Sequence, residues 1–134
     1  MLNYGGNCRE ALEYYVRHLG GRLDALMTYG EMPGQQSVPA NSLNRVLHAR
    51  MTFGDSVLMA CDVPSDRPWE PMRSAYLTLD FPSDEAAEAA HAALAEGGEV
   101  FMPMAETFFA HRFSMLRDRF GTNWMLIREK AQHD

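Results

Sequence analysis

The stretch Gly20-Gly21-Arg22-Leu23-Asp24-Ala25-Leu26-Met27 has a counterpart 77 residues later, Gly97-Gly98-Glu99-Val100-Phe101-Met102-Pro103-Met104. Each follows a segment with helical spacing and opens an extended one. A second pair of words recurs after 67 residues: Phe53-Gly54 before Val57-Leu58-Met59-Ala60, and Phe120-Gly121 before Trp124-Met125-Leu126-Ile127. One insertion of ten residues in the first half reconciles the two shifts. It belongs around Glu31 to Leu43, where Pro33, Gly34, Pro39 and Asn41 read as loop. An internal repeat decides the architecture before any local detail does.

Working outward from these words gives the same order of elements twice. Residues 8–19 put Ala11, Leu12, Tyr15 and Leu19 on one stripe, with Asn7 as the expected N-cap and Gly20 as the stop. Residues 84–96 do the same with Ala86, Ala87, Ala90, Ala93 and Leu94, capped by Ser83 or Asp84 and stopped by Gly97. Three strands follow each helix, over about 22–29, 45–53 and 56–62, then about 99–104, 108–117 and 123–129. Ala75 to Phe81 alternates apolar and polar residues and supplies a strand before the second helix. Its counterpart falls at Met1 to Tyr4, so the first strand of the first half is cut short. The expected fold is α+β, with tandem β-α-β-β-β modules. It is a single domain over 1–134, with module one at 1–63 and module two at 74–130.

The 134 residues carry 12 Lys and Arg against 18 Asp and Glu, a net charge of −6. That balance, with no basic cluster, argues against nucleic acid or an anionic membrane as partner. No apolar run approaches the roughly 18 residues of a membrane span, and the first residues do not read as a signal peptide. Cys8 and Cys61 form no Cys-x-x-Cys pair, so neither a zinc knuckle nor a disulfide framework is expected, and the cytoplasm is the expected compartment.

A tandem β-α-β-β-β chain of this length resembles the vicinal oxygen chelate superfamily of glyoxalase, bleomycin-resistance and dioxygenase proteins. The words Gly6-Asn7-Cys8-Arg9-Glu10-Ala11-Leu12-Glu13-Tyr14-Tyr15, Tyr29-Gly30-Glu31-Met32-Pro33, Leu47-His48-Ala49 and Leu58-Met59-Ala60-Cys61-Asp62 are similar to its PhnB-like branch. So is the run from Met102 to Phe113, continued by Asp118-Arg119-Phe120-Gly121 and Trp124-Met125. Members of that branch often carry the label 3-demethylubiquinone-9 3-methyltransferase, but no Gly-rich methyl-donor motif follows a first strand here. The resemblance implies that the modules form a cup, that two chains pair as a homodimer, and that a divalent metal is held by His, Gln or Glu from the first and last strand of each module. Carried over one at a time, those positions fall on Tyr76, on Met125, on Leu58 (or Met59 if the register slips by one), and at or before Met1. None offers an imidazole or a carboxylate, so no metal is expected at the glyoxalase-type site.

Polar residues on apolar strands remain. Period two puts His48 with Val46, Arg50 and Thr52, and His111 with Thr107, Phe109, Phe113 and Met115. The repeat shift of 67 makes His48 and Met115 equivalent, which places both histidines on the same kind of face. Glu106 precedes the second strand. His48, Glu106 and His111 are the candidate catalytic residues, able to move a proton near neutral pH or, as an alternative, to hold a divalent metal cofactor. Each also reads as an ordinary wall or strand-end residue. Tyr76, Thr107, Phe109, Phe113 and Trp124 are the candidate substrate-binding residues, lining an apolar pocket for a small-molecule ligand. The favoured reading is a small-molecule binder without cofactor. The alternatives are a metal-dependent or His/Glu-based lyase, isomerase or dioxygenase, and a protein whose cup is filled by its own side chains.

Overall fold

The computed structural model describes residues 1–31 and 38–130; residues 32–37 of the expected loop, with the word Met32-Pro33, lie outside them. The chain divides into two compact units, Met1–Glu70 and Pro71–Asp134. The first unit contains β1 (Leu2–Tyr4), α1 (Cys8–Leu19), β2 (Arg22–Thr28), β3 (Val46–Phe53) and β4 (Ser56–Asp62). The second contains β5 (Leu77–Asp80), α2 (Asp84–Ala95), β6 (Glu99–Ala105), β7 (Ala110–Arg117) and β8 (Asn123–Glu129). The sheets have the same order, β1-β4-β3-β2 and β5-β8-β7-β6. In both, the first and last strands run parallel and the other pairs antiparallel. This is the α+β tandem arrangement expected from the repeat.

One helix covers one face of each sheet. From α1, Cys8, Ala11, Leu12, Tyr14 and Tyr15 are buried, and Ala49, Met51 and Ala60 are buried in the sheet of the same unit. From α2, Ala87, Ala90 and Leu94 are buried, as are Ser114, Leu116, Trp124 and Leu126 of β7 and β8. Burying a side chain such as Leu12 or Leu94 contributes about 1.5–3 kcal/mol, which is what keeps each helix seated. The repeated Gly-Gly pairs have a common cause. Gly20 and Gly97 end the helices in the left-handed region, at φ 75° and 74°. Gly21 and Gly98 are close approaches: a Cβ on Gly21 would strike Met51, and one on Gly98 the carbonyl of Arg117.

The helix starts differ from expectation in one case. Ser83 caps α2 by accepting from Ala86 N–H at 3.1 Å. The side chain of Asn7 does not cap α1. The carboxylate of Asp62, at the far end of β4, does that work. Its Oδ1 accepts from Gly6 N–H at 2.9 Å and Cys8 N–H at 3.0 Å, and its Oδ2 accepts from Val46 N–H at 2.9 Å. One buried side chain thus ties together the turn before α1, the start of β3 and the end of β4. Module two uses Asp118 in the β7–β8 hairpin. Its Oδ1 accepts from Phe120 and Thr122 N–H, at 2.9 and 3.0 Å, and its Oδ2 from the Trp124 indole at 2.9 Å.

Strand pairing refines the repeat. Leu2 lies beside Ala60 as Leu79 lies beside Leu126, and Ala49 faces Ala60 as Ser114 faces Leu126. Hence Met59, not Leu58, is the counterpart of Met125, and His48 matches Phe113, not Met115. The shift of 67 overruns because the β7–β8 hairpin is longer than the turn at Gly54-Asp55.

Candidate functional site

The face of each sheet turned away from its helix is the candidate surface, because its side chains are not spent on the core. In module two the parity is clear. Met102 faces Met115, Met115 faces Met125, and Met125 lies beside Thr78, so one row crosses all four strands. The next row holds Phe113, Ile127 and Asp80. Phe113 packs edge to face on Phe109 at 5.1 Å between ring centroids, and Phe109 on Phe108 at 5.2 Å. At the other end Tyr76 meets Phe101 edge to face at 6.4 Å, and the Arg117 guanidinium lies over the Phe101 ring at 5.5 Å. The surface is thioether and aromatic, and much of it is open: Phe101 is 41% exposed, Met102 43%, Phe108 91% and Phe109 41%.

Four of the five expected substrate-binding residues, Tyr76, Thr107, Phe109 and Phe113, lie along or at the ends of this wall. Thr107 is largely taken up by its own turn: its N–H bonds Ala110 O and its hydroxyl accepts from Ala110 N–H, both at 3.0 Å. Tyr76 stands just before β5, and Thr78, not Tyr76, lies beside Met125. Trp124 belongs to the opposite face. It is 1% exposed, faces Leu116 across the ladder and gives its indole proton to Asp118. Alternation separates Trp124 from Met125, so a residue adjacent to the wall in sequence is core in space. Phe101 was missed because a register shift between Val100 and Met102 breaks the period that would have revealed it.

The three expected catalytic residues are divided between the two units. His48, half-buried on β3, belongs to the first unit and pairs with Met27 of β2. Glu106 and His111 belong to the second. Glu106 follows β6, is 63% exposed at its side chain, and reaches Lys130 Nζ at 3.5 Å. His111 sits where the β7–β8 register shifts between Ala110 and Arg112, so counting back from Phe113 does not fix its face. It is the last-named of the groups that lower the carboxyl of Asp84 at the start of α2. There Asp84 Oδ1 accepts from Arg128 at 2.7 Å and Oδ2 lies 3.4 Å from Arg112, while Arg112 also bonds Glu88 at 2.9 Å and the His111 carbonyl at 2.7 Å. The hydrogen bond from Arg128, then the charges of Arg112, Arg128 and His111, hold the Asp84 carboxyl below its usual range. Among the described residues, no group of three or more His, Cys, Asp or Glu is placed to hold a metal ion.

Of the positions to which the resemblance points, at Tyr76, Met125, Leu58 (or Met59) and at or before Met1, strand pairing matches Met59 to Met125 and sets Thr78 rather than Tyr76 beside Met125. Thioethers and one aliphatic hydroxyl do not fit a hard divalent ion, which takes carboxylate, imidazole or water oxygen. Among the described residues no helix is long and apolar enough to cross a membrane.

Comparison with known proteins agrees with this geometry. Residues 3–126 match the family described as the Glyoxalase/Bleomycin resistance protein/Dioxygenase superfamily. Protein YjdN of Escherichia coli (strain K12) is 31% identical over 140 residues, spanning 98% of this chain and 94% of that protein. The crystal structure of protein PA1353 from Pseudomonas aeruginosa superposes with a TM-score of 0.88 at 41% identity, over 97% of this chain and 95% of that one. A PhnB protein of Bacillus cereus, provisionally described as 3-demethylubiquinone-9 3-methyltransferase, superposes with a TM-score of 0.74 at 21% identity, over 95% of each chain, a likeness of fold alone. With two helix-covered β-α-β-β-β sheets and a family match over nearly its whole length, the chain belongs to the glyoxalase/bleomycin resistance/dioxygenase superfamily.

Proposed function

We propose that this is a cytoplasmic, PhnB-like small-molecule-binding protein that works without the glyoxalase-type metal. The observation that carries the reading is the row Met102, Met115, Met125 and Thr78 on the helix-free face of module two. Its member Met125 stands at a position where the resemblance implies a hard ligand, and the row offers polarizable sulfur flanked by Phe113 and Phe101. Such a wall suits a planar, largely apolar ligand, and Arg117 on Phe101 supplies a cation at its edge. A homodimer is part of this reading, since β6 leaves Val100, Phe101 and Met102 each more than 40% exposed along an edge strand.

Native mass spectrometry of freshly purified, untagged protein tests the reading. A co-purified organic ligand, lost in Met115→Glu, and no stoichiometric manganese, iron, nickel or zinc on elemental analysis are the expected results. A stoichiometric divalent metal would overturn it in favour of a metal-dependent lyase, isomerase or dioxygenase. Light scattering checks the dimer: a mass of 15.1 kDa, that of one chain, would exclude it at the concentration used.

A further inference from the structure

The helix-free face of module one carries a different chemistry. Asn3 pairs with Cys61, and Met27 pairs with His48. His48 and Cys61 are the next residues along β3 and β4 beyond the pair Ala49–Ala60, on the side away from α1. Asn3, Cys61, His48 and Met27 therefore form one row across the four strands. The Cys61 thiol points to that side, because it donates to Asn3 Oδ1 at 2.8 Å. The His48 ring has no hydrogen bond or ion pair among the described residues, and Met27 and Met59 are 44% and 40% exposed. Neighbouring side chains on adjacent strands have Cβ atoms about 4.5–5.5 Å apart. One ion bonded to a thiolate and an imidazole asks for sulfur and nitrogen roughly 4 Å apart, by the bond lengths zinc shows.

We propose that this row binds a soft monovalent metal cation of the copper(I) or silver(I) class, held by Cys61 Sγ and a His48 ring nitrogen, with the Met27 thioether as a third ligand. The ligand types choose the ion. Thiolate and thioether select soft cations, and no carboxylate shares the row, since Asp62 turns to the opposite side and is committed to Gly6, Cys8 and Val46. Arg50, one pair further along beside Met59, disfavours a doubly charged ion more than a singly charged one. On binding, the S–H bond of Cys61 breaks, a metal–sulfur bond forms, the proton leaves to water, and the oxidation state of the ion is unchanged. Cys8 cannot substitute because it is 0% exposed, whereas Cys61 is partly open; burial raises both thiols, that of Cys8 to about 12. The site lies on the other module from the apolar wall, so either assignment can fail without the other.

The test is titration of the purified full-length protein with silver nitrate in chloride-free buffer, followed by calorimetry and native mass spectrometry. One ion per chain is expected. His48→Ala and Met27→Leu should each weaken binding at least tenfold, and Cys61→Ser at least a hundredfold. His18→Ala, which alters a surface histidine on α1, should change nothing. A shift of the His48 ring nitrogen resonances on adding one equivalent completes the expected result. Failure to bind one equivalent, or binding equally tight in His48→Ala and Met27→Leu, overturns the proposal. The latter pair keeps the test decisive if Cys61→Ser does not fold.

Discussion

The two modules share a backbone plan and differ in what they place on it. On the helix-free face, Met115 and Phe113 of β7 occupy the positions that Arg50 and His48 hold on β3. Ile127 on β8 stands where Cys61 stands on β4. One wall is sulfur and aromatic carbon, the other cation, imidazole and thiol. The clamps differ as well. Module one ties its helix start to the end of β4 through Asp62, whereas module two ties its long hairpin to the core through Asp118 and Trp124. A repeat therefore conserves the face pattern that seats the helix and leaves the opposite face free to diverge, because only the first is fixed by packing.

The largest expected effects break the clamps. Asp62→Ala strands three backbone N–H groups, and Asp118→Ala strands two together with an indole. Each should cost about 3–5 kcal/mol in urea unfolding, since every buried donor left unpaired costs about 1–3 kcal/mol. If Asp62→Ala unfolds at the wild-type midpoint, the clamp is not what secures α1. Next come exchanges of wall residues between modules. Met115→Arg puts the residue of module one into the apolar row, and affinity for the dye 1-anilinonaphthalene-8-sulfonate should fall at least tenfold. Arg50→Met should not lower it. Equal losses in both variants would mean that the dye does not distinguish the walls.

Smaller effects sharpen the comparison at the helix starts. α2 begins with Asp84, held low by the Arg128 hydrogen bond, where α1 begins with Cys8. A depressed carboxyl contributes stability that is present above its ordinary value of 3.8 and is lost as pH falls through the folded value below it. Asp84→Asn should therefore flatten the acid limb of the stability curve and leave a small loss at neutral pH. A wild-type acid limb in this variant would place the acid sensitivity elsewhere. The least effect is expected at Phe108, 91% exposed. Phe108→Ser should shift stability by no more than about 0.5 kcal/mol, and a larger loss by thermal unfolding would show that the ring is covered in solution.

The sequence by itself determined the tandem modules, both helices, the Gly-Gly stops and the thioether of Met125 at the last-strand position of module two. Those features are local or periodic: 3.6-residue stripes, alternation, and glycines that the backbone requires. Tertiary structure alone decided the rest. That Met59 rather than Leu58 answers Met125, and Phe113 rather than Met115 answers His48, depends on hairpin length, which repeated words do not measure. That alternation does not fix the face of His111 depends on a register shift between Ala110 and Arg112, where period two stops holding. That Trp124 is core while its neighbour Met125 lines the wall depends on which face α2 covers. The row of Asn3, Cys61, His48 and Met27 joins four strands far apart in the chain, and no spacing along the sequence encodes a neighbour that only hydrogen-bonded pairing creates.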